Sequence, residues 1–246
     1  FKKAKKIFNQ KGIKSKLIPS KKHSKFYKSY FINKKLFMPF LTAKIAISKD
    51  YLTINKKNKW ITNKISRKIV HLLRSKYDCI LSTSKSINLD DSLLNCRING
   101  LNNNKPDLFI IDLKLNLKKN LSLNNNLKKR KIYLITNKEN RRKTSSYKKK
   151  GYKIILVSRL VDKNDFILLF KNIYKKGYSR MLIESGLTFL NNLLKKKLIH
   201  DLYIFLSRKK LGKNGKNNDT SKYLKKIYPK LLTINLNGDN LLKKEF

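Results

Sequence analysis

The run Ile183-Glu184-Ser185-Gly186-Leu187-Thr188 puts a carboxylate, a small residue and a glycine where an apolar stretch gives way to a helical pattern. A strand that enters a helix through such a turn leaves backbone N–H groups pointing outward. Together with the helix dipole they can hold a phosphate. The same pattern also makes a plain tight turn, and the spacing alone does not choose between the two. Glu184 sharpens the signal, because a carboxylate at the carboxyl end of a strand sits where ligands bind in open α/β sheets.

Other groups could take part. Ser86-Ile87-Asn88-Leu89-Asp90-Asp91 gathers a hydroxyl and two carboxylates in one loop after a short apolar strand. An Asx turn or a helix cap is the simpler account of it. Arg74 and Arg97 stand out because only 9 of the 61 basic residues are arginine. A guanidinium can grip a phosphate with two parallel hydrogen bonds; otherwise Arg74 is a solvated helix-end charge and Arg97 a loop charge. Trp60, the single tryptophan, could stack on a planar ring or pack in a core. His23, His71 and His200 lie far apart, so no Ser/His/Asp set is evident, and His71 reads as a surface or boundary residue. Cys79 and Cys96 form no CxxC or Cys/His cluster, so no metal site is expected and two half-buried thiols remain.

The elements that must position these residues alternate. Strands are expected over 41–47, 78–82, 108–112, 132–136, 154–157, 180–184 and 201–206. Helices are expected over 63–75, 164–176 and 187–196. The first of these has Ile65, Ile69, Leu72 and Leu73 on one side, with Thr62 or Asn63 as its cap. Asn237-Gly238 after an apolar run predicts a C-terminal hairpin with a type I′ turn. Alternating strands and helices closed by an antiparallel hairpin imply an α/β fold with a mixed sheet. The Asn-rich segments 99–104 and 116–126 read as loops. Residues 1–37 read as a helix ended by Gly12, a strand over 13–18, and a basic helical stretch with Phe26, Tyr30 and Phe31 on one face. That is too little for a domain, and Met38-Pro39-Phe40 marks a boundary.

The net charge of +47 raises the question of nucleic acid. The excess is mostly lysine scattered over the whole length, accompanied by 28 asparagines. Lys, Asn and Ile all have AT-rich codons, so composition bias accounts for the charge better than a dedicated binding surface does. Only non-specific adhesion to RNA is expected. No apolar run is long enough to span a membrane and no signal peptide is visible, so a cytoplasmic protein is expected. The chain opens on Phe1 rather than Met, which suggests a piece of something longer.

The run from Lys44 through Ala46, Ser48 and Asp50, then Trp60-Ile61-Thr62, then Leu72-Leu73-Arg74, then Asp90-Asp91 with Leu94 and Arg97, then Glu184-Ser185-Gly186, resembles the reductase domain of the bacterial bifunctional riboflavin-biosynthesis deaminase/reductase. The order and spacing hold over nearly all of residues 38–246. Residues 1–37 resemble the end of the deaminase domain that precedes it, although the deaminase's own zinc motifs are absent from this chain. The resemblance implies a dihydrofolate-reductase-like mixed sheet flanked by helices, NADPH as hydride donor, and a homodimer. It implies reduction of the ribose of 5-amino-6-(5-phosphoribosylamino)uracil to the ribityl form.

Carried onto this chain, the family's cofactor contacts fall on Ala46, Trp60, Ser86, Asp90, Leu113 and the turn Gly186, Leu187 and Thr188. Its substrate contacts fall on Asn58, Arg74, Leu94, Arg97 and Glu184. Asp90, Glu184 and Lys44 become the candidates for catalysis, through hydrogen bonds to ribose hydroxyls or proton transfer. Arg74 and Arg97 suit the 5-phosphate. There are departures from the family pattern. Tyr51 replaces a glycine, so the loop after the first strand is expected to be reshaped. Ser92 replaces a proline, which is expected to loosen its loop. The segment from Asp50 to Trp60 is shorter than in the family. Two other readings compete: a basic RNA-associated α/β protein without catalysis, and a reductase that keeps the fold but has lost turnover.

Overall fold

The structure, a computed structural model, describes residues 2–16, 18, 27–58, 60–101, 106–227 and 233–246. Its strands are β1 (Phe40–Ile47), β2 (Ile54–Asn55), β3 (Cys79–Thr83), β4 (Asp107–Ile111), β5 (Ile132–Asn137), β6 (Lys153–Val157), β7 (Arg180–Glu184), β8 (Asp201–Leu206), β9 (Gly215–Lys216), β10 (Thr233–Leu236) and β11 (Asp239–Glu245). Its helices are α1 (Lys2–Gln10), α2 (Lys28–Leu36), α3 (Lys64–Arg74), α4 (Ser84–Asp90), α5 (Ser145–Lys150), α6 (Lys163–Lys175), α7 (Leu187–Lys195) and α8 (Lys222–Ile227).

Nine strands form one sheet in the order β10-β11-β8-β1-β7-β3-β4-β5-β6. The pairs from β8 to β6 are parallel, and β11 runs antiparallel to both of its neighbours. The expected mixed sheet with a C-terminal hairpin is therefore present. Asn237 and Gly238 both have positive φ (56° and 90°), as a type I′ turn requires. Of the apolar run 231–236 expected to lead into that turn, residues 231 and 232 lie outside the described residues.

The period-2 pattern of the central strands divides the core. Leu41, Ala43, Ile45, Ile47, Met181, Ile183, Phe109 and Ile135 pack with Phe166, Phe170, Leu190 and Leu193 of α6 and α7. On the opposite face, Ile80, Leu182, Leu108, Ile110 and Leu134 form a second cluster with Leu73 of α3, and Val70 packs with Phe205 and Ala46. Helices thus cover both faces of a sheet whose central strands are apolar on both sides.

Several expectations need correction. On α3, Ile69 and Leu73 pack against the core as expected, with Ser66 and Val70 fully inward, whereas Ile65 is exposed. Ser66 turns inward because its hydroxyl donates to the Asp239 carboxylate. Residues 86–91 are not a loop: α4 covers most of them, capped by the Thr83 side chain, which accepts from the Ser86 N–H. Cys79 and Cys96 are fully buried rather than half-buried. Residues 13–16 form no strand. Phe26, counted with Tyr30 and Phe31 on one helical face, lies outside the described residues. Tyr51 adopts the left-handed conformation (φ 62°) that a glycine would take without strain. Its N–H donates to Ser48 O, the Leu52 N–H donates to Ser48 Oγ, and Asp50 accepts from Leu211 and Gly212. These contacts outweigh the roughly 1–2 kcal/mol steric cost of a left-handed non-glycine residue.

Ahead of the sheet, α2 is tied to it. The Asn33 amide donates to Met38 O and Ser179 O, and Lys28 pairs with Asp201 at 3.0 Å. No helix among the described residues is long and apolar enough to cross a membrane.

Candidate active site

In the strand order, β1 and β7 are neighbours whose onward connections cross, each passing over the other strand. The chain leaves β1 for β3 on one side and leaves β7 for β8 on the other. Helix α3 follows β1 on one face and α7 follows β7 on the opposite face. In open α/β sheets, ligands bind beside the carboxyl ends of the strands. Lys44 and Glu184 are register partners there.

Glu184 is 7% exposed, and its carboxylate is surrounded by cations. Arg74 grips it with two hydrogen bonds, Nε to Oε1 at 2.6 Å and Nη2 to Oε2 at 2.9 Å. Lys44 Nζ donates to Oε2 at 3.3 Å. Burial alone pushes the Glu184 carboxyl up, but Arg74 and then Lys44 outweigh it and bring it down to about 2. Glu184 is therefore an anion at neutral pH and an acceptor, not a proton donor.

Arg74 sits in the last turn of α3, whose start is fixed by three contacts. The Asn63 side chain accepts from the Ser66 N–H, and Asp239 accepts from Asn63 N and Ser66 Oγ. The hairpin that carries Asp239 thus sets where the helix delivers Arg74. A third Arg74 bond, Nη1 to Asn95 O at 3.2 Å, ties the helix to the loop after α4. That loop holds Leu94, buried and left-handed (φ 47°), and Arg97, which is exposed. Arg130, which no sequence motif marks, is buried beneath it and donates to Leu93 O, Leu94 O and Pro106 O. The loop at Ser92 is also anchored at Asp91, which accepts from Ser122 N and Oγ.

Two residues beyond Glu184, the Gly186 N–H donates to Ser86 Oγ at 3.1 Å, which joins the start of α7 to α4. Gly186 is the N-cap of α7, and the first turn of that helix has no acidic residue. Leu187 is buried, so it offers only backbone, while Thr188 is exposed and donates its hydroxyl to Asn218 O. The unmet N–H groups of this turn and the uncompensated helix end suit a phosphate-bearing cofactor such as a dinucleotide.

The remaining predicted contacts scatter. Asp90 ends α4 and is exposed. Ala46 lies on the α3 face of β1. The Leu113 carbonyl accepts from Asn140 Nδ2 at 2.7 Å. Asn58 and Trp60 belong to an outlying segment beside the β2–β9 pair. Asn58 is exposed. Trp60 is 51% exposed, with the Arg67 guanidinium over its ring. Lys44, Arg74 and Glu184 are thus brought into direct contact, with Arg97 joined to them through His71 and the Asn95 carbonyl. Asn58 and Trp60 are not.

Residues 39–232 match the RibD C-terminal domain. The riboflavin biosynthesis protein RibD of Buchnera aphidicola subsp. Baizongia pistaciae is 29% identical over 218 residues, 80% of this chain and 55% of that protein. The 5-amino-6-(5-phosphoribosylamino)uracil reductase of Buchnera aphidicola subsp. Acyrthosiphon pisum is 33% identical over 173 residues, 66% of this chain and 81% of that one. The chain spans about half the length of the curated RibD relatives it matches, 55% and 48% for two of them. Among solved structures, Acinetobacter baumannii RibD superposes with a TM-score of 0.76 at 19% identity, covering 98% of this chain and 67% of that one. The Saccharomyces cerevisiae riboflavin biosynthesis reductase Rib7 gives 0.67 at 18% identity, covering 91% and 98%. At such identities these two speak for the fold alone. With a match over residues 39–232, the chain belongs to the RibD C-terminal domain family.

Proposed function

We propose that the chain reduces 5-amino-6-(5-phosphoribosylamino)uracil to its ribitylamino counterpart with NADPH. The observation that carries this reading is the Lys44–Glu184–Arg74 cluster at the carboxyl end of β7, two residues before a phosphate-suited helix start. When bound, NADPH supplies the hydride for C1 of the opened ribose.

The residues of the chain supply position and charge. The backbone of Gly186, Leu187 and Thr188, with the Ser86 hydroxyl, holds cofactor phosphate, and Ala46, Trp60, Asp90 and Leu113 complete its contacts. The ionised Glu184 accepts hydrogen bonds from ribose hydroxyls. Lys44, beside it, is the proton donor to the opening sugar, because a carboxyl held near 2 keeps no proton to give. Arg97 meets the 5-phosphate, flanked by Arg74, while Leu94 and Asn58 border the pyrimidine end. We further propose a cytoplasmic homodimer, with residues 1–37 forming the end of a preceding deaminase domain and with only non-specific, salt-sensitive adhesion to nucleic acid.

Titration of the protein with NADPH at low salt tests the reading. Saturable binding with quenching of Trp60 fluorescence is expected. Absence of NADPH binding by folded protein overturns it.

A further inference from the structure

Arg97 carries a full positive charge with no carboxylate salt-bridge partner among the described residues. Its guanidinium Nη2 lies 3.3 Å from His71 Nε2. The other ring nitrogen, Nδ1, is 3.0 Å from Asn95 O and 3.2 Å from the Arg97 N–H. One ring cannot satisfy both of those neighbours through Nδ1. The guanidinium decides between them, because it has only donors to offer. Nε2 must therefore accept, so the single proton of the neutral ring sits on Nδ1 and is donated to Asn95 O. The opposite tautomer would set Nε2–H against the guanidinium and a bare Nδ1 against a carbonyl.

Asn95 O also accepts from Arg74 Nη1, so an unbroken chain runs from Arg97 through His71 and Asn95 to Arg74 and Glu184. The charged groups that bear on the imidazole are Arg74 on its own helix, Arg97 on the facing loop and Glu184 on β7. Burial, reinforced by the two arginines, holds its pKa down to about 4. A protonated ring would face two guanidinium groups with no acceptor left for Arg97.

We propose that His71 is a positioning residue: as a neutral hydrogen-bond acceptor it holds the Arg97 guanidinium in place beside Arg74, so that the pair receives the phosphate of the substrate. This inference rests on the proposed contact between Arg97 and phosphate. His71 itself touches neither the reacting atoms nor the phosphate. Its part is to restrain a long, exposed side chain that has no anionic partner until substrate arrives, which lowers the ordering cost of binding.

The test compares His71→Leu, His71→Gln, Arg97→Met and the double variant that combines His71→Leu with Arg97→Met. KM and kcat are read with the phosphoribosylamino pyrimidine, and Kd with ribose 5-phosphate by calorimetry, which needs no turnover. His71→Leu should raise KM and Kd about tenfold, the scale of one charge-assisted contact. It should leave kcat and the KM for NADPH near wild type. His71→Gln, which keeps a neutral acceptor and a donor, should restore most of the loss. The double variant should bind no worse than Arg97→Met alone, because His71 acts through Arg97. If Arg97→Met weakens binding but His71→Leu does not, the positioning role is wrong and the phosphate contact stands. Additive losses, or a loss in His71→Leu that tracks a lower Tm and is not rescued by Gln, make His71 merely structural. If Arg97→Met leaves both KM and Kd unchanged, the phosphate contact itself is wrong and the inference falls with it.

Discussion

Arg74 and Glu184, 110 residues apart in the chain, meet through two parallel hydrogen bonds of 2.6 and 2.9 Å. Neither group stands alone well. The pair is desolvated, so each charge depends on the other, with Lys44 and Asn95 O filling further valences. Removing one partner strands a buried charge, which typically costs about 3–5 kcal/mol. Glu184→Ala should therefore lower unfolding free energy in urea by roughly that amount, and Arg74→Met in the same background should recover much of it. A loss below about 1 kcal/mol would show that the pair is not desolvated in solution.

Acid should act on this protein in two stages. His71 and His200 are both held down to about 4 by burial, with neighbouring cations adding to it. Each takes up its proton more readily in the unfolded chain. Their contribution is thus fully present above about 6.5 and is lost as the pH falls through about 4. Glu184, held down to about 2, contributes above its ordinary value of 4.5 and loses that contribution as the pH falls towards 2. Calorimetric Tm at constant ionic strength should begin to fall near pH 6.5, before most carboxylates titrate. A flat Tm from pH 7 to 4.5 would contradict the buried, neutral state of both rings.

Gly186 separates binding from stability. Its φ is −68°, and an added Cβ would meet Ser86 Oγ at 3.7 Å, an ordinary contact. Gly186→Ala should fold with a change within about 1 kcal/mol, the scale of an N-cap substitution. The methyl group should still obstruct a phosphate at the helix start and weaken NADPH binding roughly tenfold. Equal Kd values for the two proteins would move the cofactor away from this turn.

Arg130 supports the site from beneath. It supplies the donors for Leu93 O, Leu94 O and Pro106 O. Burial and the nearby Arg74 charge bring its own pKa down to about 10, so the cation is held in place by carbonyls rather than by a counter-ion in contact. Arg130→Met should cost roughly 2–3 kcal/mol through the stranded carbonyls and raise substrate KM by loosening the loop that carries Leu94 and Arg97. A variant that melts and binds like wild type would show that the loop is held by other means.

The sheet is legible in the sequence because its strands are short apolar runs bounded by polar turns, and Asn237-Gly238 admits one type of turn. The cluster is legible only in part. Glu184 stands out by its place at a strand end, and Arg74 by its rarity as an arginine. Their pairing joins residues far apart in the chain, and no local pattern encodes it. Residues 84–90 do not read as a helix because seven residues are too few for an apolar period to show. Arg130 and His71 give no signal because each works on backbone carbonyls or on another cation, partners that leave no mark on residue type. Tyr51 keeps a left-handed φ because a residue's own preference is weaker than the hydrogen bonds closed around it.

The most direct measurement is NADPH oxidation by the purified chain in the presence of 5-amino-6-(5-phosphoribosylamino)uracil, followed by absorbance with the product identified by mass. One NADPH should be consumed per ribitylamino product formed, with the dephosphorylated compound turned over poorly and Glu184→Gln losing most of the rate. Folded protein that binds NADPH yet forms no ribitylamino product would contradict the account at its centre.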